Sequence, residues 1–96
     1  MIEIKLFELA GAFAEDKDIA AQIRKNKLLP ALKRGEEIVL NFEKIDLATQ
    51  SFVHVLISDL MRKLGNEVLE QISFKHCAPT VKKIIEIVVD YMQERD

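Results

Sequence analysis

Thr49, Ser51 and His54 are the side chains of this sequence best placed to do chemistry. Thr49 and Ser51 stand where a polar stretch, Asp46-Leu-Ala-Thr-Gln-Ser51, gives way to an amphipathic helical pattern. A hydroxyl at a helix amino terminus can cap an unpaired backbone N–H, and those N–H groups together with the helix dipole also stabilise an added phosphate. Ser51 and Thr49 therefore read as helix caps or as phosphoacceptors. His54 follows on the polar side of the same helix, as a surface imidazole that can meet a carboxylate when protonated. A second pair, His76-Cys77, precedes Pro79 and puts a thiol near another helix start, where a thiolate can be favoured, though Cys77 reads first as a structural or incidental residue. Two His and one Cys with no CxxC or HxxxH spacing do not make a metal site. The acidic residues are scattered, and there is neither a Gly-rich phosphate loop nor a Ser, His, Asp arrangement. No catalytic residue, cofactor or metal is expected, and the chain is not expected to be an enzyme. Arg24, Lys25, Lys27, Lys33 and Arg34 form a basic concentration without interleaved aromatics, which reads as a solvated helix end before it reads as a nucleic-acid footprint.

The element that must position Thr49 and Ser51 is a strand followed by a helix. Ile38, Val39, Leu40 and Phe42 form a short apolar run with polar flanks, the pattern of a buried strand. The period then changes: Phe52, Val53, Leu56, Ile57, Leu60 and Leu64 recur at helical spacing, while His54, Ser58, Asp59, Arg62 and Lys63 take the opposite face. The junction thus lies at a strand's carboxyl end, where open α/β sheets tend to bind ligands and partners. Upstream, Ile2, Ile4, Leu6 and Phe7 alternate with polar residues as a first strand, ended at Gly11. A helix is expected from near Asp16 to about Asn26, carrying Ile19, Ala20 and Ile23, followed by a less regular turn to Arg34 because Pro30 interrupts it. Gly65-Asn66 stops the central helix. A third strand is placed at about 69 to 74, and a last helix starts at Pro79 with Val81, Ile84, Ile85, Val88 and Met92 as its stripe. Ile87, Val89 and Tyr91 widen that stripe into a second apolar row, which signals deep burial or a contact surface. Gln93 to Asp96 are expected to fray.

Strands alternating with helices predict a small α/β domain in β-α-β-α-β-α order: a mixed or mostly parallel sheet of three to four strands packed with about three helices, its crossovers right-handed. Residues 1–96 form a single domain, long enough to bury a core without staples. A net charge of −2 gives no global pull toward nucleic acid or anionic membrane, and no apolar run is long enough to span a bilayer. A soluble protein is expected. The amino terminus lacks the pattern of a secretory signal, and one Cys cannot form an internal disulfide, so the expected setting is the cytoplasm.

Phe7 to Gly11, the central Val39-Leu-Asn-Phe-Glu-Lys-Ile45, the loop and helix start Thr49-Gln-Ser-Phe52, and the helix from Val81 to Val88 together resemble the STAS-like domains of unknown function. The pattern is more distantly similar to the STAS domains of anti-sigma factor antagonists, in which a strand, a loop with a phosphorylatable Ser and a helix follow in this order. In the simplest alignment with the antagonist motif Gln50 takes the phosphoacceptor place, with Thr49 and Ser51 on either side. The resemblance implies a small regulatory domain that binds an ATPase or kinase of the histidine-kinase-like class through protein–protein contact in signalling. The expected docking rim is Thr49, Gln50, Ser51, His54, Val55 and Ser58. The alternatives are a structural homo-oligomer built on Ile87, Val89 and Tyr91, and, less favoured, a nucleic-acid-binding module using the basic residues between 24 and 34.

Overall fold

Three short apolar strands set the frame of the computed structural model, which describes residues 1–94. β1 (Ile2–Lys5), β3 (Ile38–Asn41) and β5 (Ile72–Lys75) form a parallel sheet in the order β1-β3-β5. The register aligns Ile2, Ile38 and Ile72 in one row and Ile4, Leu40 and Phe74 in the next. Successive side chains point to opposite faces, so both rows lie on one face of the sheet. On the other face Glu3, Lys5, Ser73 and Lys75 are exposed, beside half-buried Val39 and buried Asn41. The sheet is therefore apolar on a single side, and its core joins Ile4, Ile38 and Leu40 to Leu28, Phe52, Leu56, Val81 and Val88. Phe42 follows β3 and donates its N–H to the Lys75 carbonyl at 2.9 Å, while its ring lies 6.3 Å from that of Phe74.

Around this frame the chain runs through helices and one further strand pair. Leu6 and Phe7, expected to extend the first strand, instead open a short helix, α1 (Leu6–Ala10). Leu6 stays fully buried there, so its apolar character served the core rather than the strand. Next, β2 (Phe13–Ala14) pairs in parallel with β4 (Leu47–Ala48), a second small sheet that the residue pattern did not announce. Asp16 caps α2 (Lys17–Ile23), its Oδ1 accepting from the N–H of Asp18 at 2.9 Å and of Ile19 at 3.4 Å.

Pro30 was expected to break this helix, yet the chain stays helical to Lys33. A π-helical stretch, Arg24–Leu28, carries α2 into α3 (Leu29–Lys33), and the Leu29 N–H donates to the Arg24 carbonyl. Pro30 has no N–H to give and its ring crowds the preceding turn of an α-helix; a wider π turn placed just before it accommodates the ring. The central helix is α4 (Gln50–Leu64), ended by Gly65 at φ +84°, a conformation that side-chain-bearing residues rarely adopt. The third strand was expected from about Leu69, but Leu69 lies in a 3₁₀ turn, Asn66–Gln71, and the strand begins at Ile72. The last helix, α5 (Pro79–Glu94), starts at the expected proline. Gln93 and Glu94 remain helical rather than frayed, and Arg95 and Asp96 lie outside the described residues.

Candidate functional site

The loop before α4 is clamped from two sides. The Asp46 N–H donates to the Ala12 carbonyl and the Thr49 N–H to the Ala14 carbonyl, each at 2.9 Å, which ties the loop to the β2 segment. From the other side the Thr80 hydroxyl donates to the Asp46 carbonyl at 3.3 Å, at the start of α5. The helix start is thus fixed by backbone bonds, whatever the loop's side chains do.

Thr49 and Ser51 part company in this frame. Thr49 is the cap: its Oγ1 accepts the Phe52 N–H at 3.1 Å and it is half-buried. Ser51 sits one turn position inside the helix, exposed. Thr49→Ala is expected to cost about 1 kcal/mol in stability, read by urea denaturation, and Ser51→Ala within about 0.5 kcal/mol of none.

A groove of about 700 Å³ opens beside Ser51, walled by Gln50, Ser51, His54 and Val55 of α4, by Tyr91 of α5 and by Lys17 of α2. Val88, nearly inaccessible, lies beneath it. The His54 and Tyr91 rings are 6.4 Å apart and tilted, so the two helices face each other across the groove with aromatic edges. Four of the six expected rim residues therefore line one cavity, with Thr49 capping at its edge. Ser58 is the exception: it was expected on the exposed rim and is buried at 2% exposure. Helix α4 packs against both α2 and α5, which narrows its solvent-facing arc, and a side chain as small as Ser fits beneath the flanking helices. Tyr91 and Lys17 enter the site from elsewhere in the chain. Tyr91 was legible only as part of a wide apolar row, and Lys17 carried no signal beyond its place in the first turn of α2.

A model of the STAS-like domain of unknown function (DUF4325) matches residues 20–82. The chain belongs to that family. Neither curated proteins nor solved structures gave a match. The matched span runs from within α2 to the first turn of α5, so it contains β3, β4 and α4 entire, the strand, loop and helix that build the groove's main wall.

The other candidate residues of this STAS-like domain fall outside the groove. Arg24 turns inward: its Nη1 donates to the Val55 carbonyl at 2.7 Å and lies 3.4 Å from Asp59, with only 13% of the side chain exposed. Arg34 is bound by Glu36, its Nε donating at 2.7 Å. Of the five cations expected as a basic cluster, Arg24 is thus spent inside the fold and Arg34 is paired at the surface, which leaves Lys25, Lys27 and Lys33 as exposed lysines. On α5, Ile87 and Tyr91 are exposed while Val89 packs against the core, which trims the expected oligomer face to two residues separated by one turn. His76 is exposed at φ +58° after β5. Cys77 is half-buried, and that burial pushes its thiol above the usual range, against a smaller lowering by Lys82. Desolvation thus works against the thiolate at Cys77. Cys77 is expected to alkylate more slowly than a free thiol at pH 7.5, to react faster as pH rises above 9, and to lose this protection in denaturant, as followed by mass spectrometry with iodoacetamide. Among the described residues no group of three metal-ligating side chains is gathered, and no helix is long and apolar enough to cross a membrane.

Proposed function

We propose that this STAS-like domain regulates by binding: the groove between α4 and α5 docks an ATPase or kinase of the histidine-kinase-like class in the cytoplasm, and no reaction is catalysed. The observation that carries the proposal is the convergence of Gln50, Ser51, His54 and Val55, residues singled out by the strand–loop–helix pattern, on one groove with Tyr91. Apolar Val55, flanked by the polar tips of Gln50, His54 and Tyr91, makes the mixture of apolar and orienting groups that protein contacts use.

Ser51 is the acceptor in the regulated form of this proposal. It is exposed and lines the groove, whereas the Thr49 hydroxyl is committed to the Phe52 N–H. A phosphate there adds about −1.5 to −2 charge at the docking surface, close to the α4 amino terminus and on the wall shared with Lys17. The added charge remodels the groove and weakens the unmodified contact. Affinity purification of the domain from its own organism's lysate, with the intact mass of the recovered domain read in parallel, tests both parts. Recovery of a histidine-kinase-like ATPase, with a share of the domain heavier by one phosphate at Ser51, is the expected result. Recovery of the domain with no ATP-binding protein counts against the partner class, and a phosphate at Thr49 instead counts against the assigned acceptor.

A further inference from the structure

The free edge of β1 carries a self-complementary charge pattern. β1 lies at the edge of the three-stranded sheet, bonded to β3 on one side only. The Ile2 N–H donates to the Glu37 carbonyl at 2.9 Å, toward β3. Backbone groups alternate sides along a strand, so Ile2 and Ile4 serve β3 while the N–H and C=O of Glu3 and Lys5 point away from the sheet. A groove of about 360 Å³ runs along this edge, with Lys27, Pro30 and Arg34 on its far wall. The side chains of Glu3 and Lys5 are both exposed on the polar face of the sheet, where the Glu3 carboxylate also accepts the Asn41 side-chain N–H at 3.0 Å.

We propose that a second copy of this chain adds its own β1 to this edge, antiparallel, about a twofold axis through Ile4. Bonded pairs in an antiparallel ladder oppose residues whose backbone groups both point outward, which leaves three central registers. One sets Glu3 against Glu3, another Lys5 against Lys5, and only the register centred on Ile4 sets Glu3 against Lys5 of the second copy, twice by symmetry. Opposite charges directly across a ladder attract and like charges repel. The same axis brings the Arg34 end of one groove to the Glu8 end of the other, because Arg34 precedes the strand that pairs at Ile2 and Glu8 follows Lys5. Head-to-tail growth is disfavoured. A β1 edge laid in register beside a β5 edge would put Lys5 next to Lys75, since both share a row with Asn41. Lysines on the two edges thus block an open array and leave the closed twofold pair.

Sedimentation equilibrium of the full chain from micromolar to submillimolar concentration tests the pairing. The wild type is expected to form a dimer and nothing larger. Lys5→Glu sets carboxylate against carboxylate at both pairs and is expected to weaken the dimer about tenfold or more. The swap Glu3→Lys with Lys5→Glu restores opposite charge and is expected to recover the dimer, with circular dichroism confirming that each variant is folded. A wild type that stays monomeric throughout overturns the proposal, as does a folded swap that fails to recover association. A dimer unmoved by Lys5→Glu but lost in Ile87→Glu transfers the contact to α5 and overturns it equally.

Discussion

Truncating Phe52 to Ala is expected to remove about 3–5 kcal/mol of stability, the largest single loss from any side chain near the groove. Phe52 is fully buried in the first turn of α4, between the cap at Thr49 and the core. Its ring leaves a cavity that the clamped loop cannot collapse into, because backbone bonds to Ala12 and Ala14 hold that loop in place. A domain of this length holds roughly 5–14 kcal/mol in total, so the variant is expected to be marginal at 37 °C. Guanidinium denaturation reads the loss, with Leu64→Ala as the comparison. Leu64 is 37% exposed at the end of the same helix and is expected to cost well under half as much. A Phe52→Ala loss below about 1 kcal/mol would mean that the helix start is not anchored as described.

Ser51→Glu is expected to weaken partner binding about tenfold or more while leaving stability within about 0.5 kcal/mol of the wild type. The side chain is exposed at the second position of α4, so a carboxylate there meets no steric barrier and sits favourably near the helix's positive end. Stability and binding are thereby separated: the charge suits the free fold and spoils the docked one. Ser51→Ala removes a hydroxyl that caps nothing, and is expected to bind within about threefold of the wild type. Thr49→Glu would be a poor substitute, because it removes the cap together with adding charge.

The three strands of the main sheet and the long helices were legible from their apolar patterns, whereas β2 and β4, two residues each, are too short to carry one. β3, α4 and α5 combine a sustained pattern with strong end signals in Gly65 and Pro79. Leu6, Phe7 and Leu69 misled because a few apolar residues do not distinguish a strand end from one helical turn; Leu6 and Leu69 serve the core there, while Phe7 is exposed. The π turn before Pro30 was hidden because proline signals a broken ladder without saying how the ladder is mended. Half of the groove was readable, since Gln50, Ser51, His54 and Val55 belong to one continuous segment. The rest was not. Tyr91 and Lys17 reach it through the packing of α5 and α2 on α4, and the same packing buries Ser58 on what looked like a polar face.

The most direct test of docking at the α4–α5 groove is a calorimetric titration of the partner recovered by affinity purification with three forms of the chain: wild type, Ser51→Glu, and Ser73→Glu as a control. Ser73 is exposed on the opposite, polar face of the sheet, so its substitution adds the same charge far from the groove. Wild type and Ser73→Glu binding alike, with Ser51→Glu at least tenfold weaker, is the result predicted here. Three equal affinities, or a loss confined to Ser73→Glu, would contradict the assignment of the groove as the docking surface.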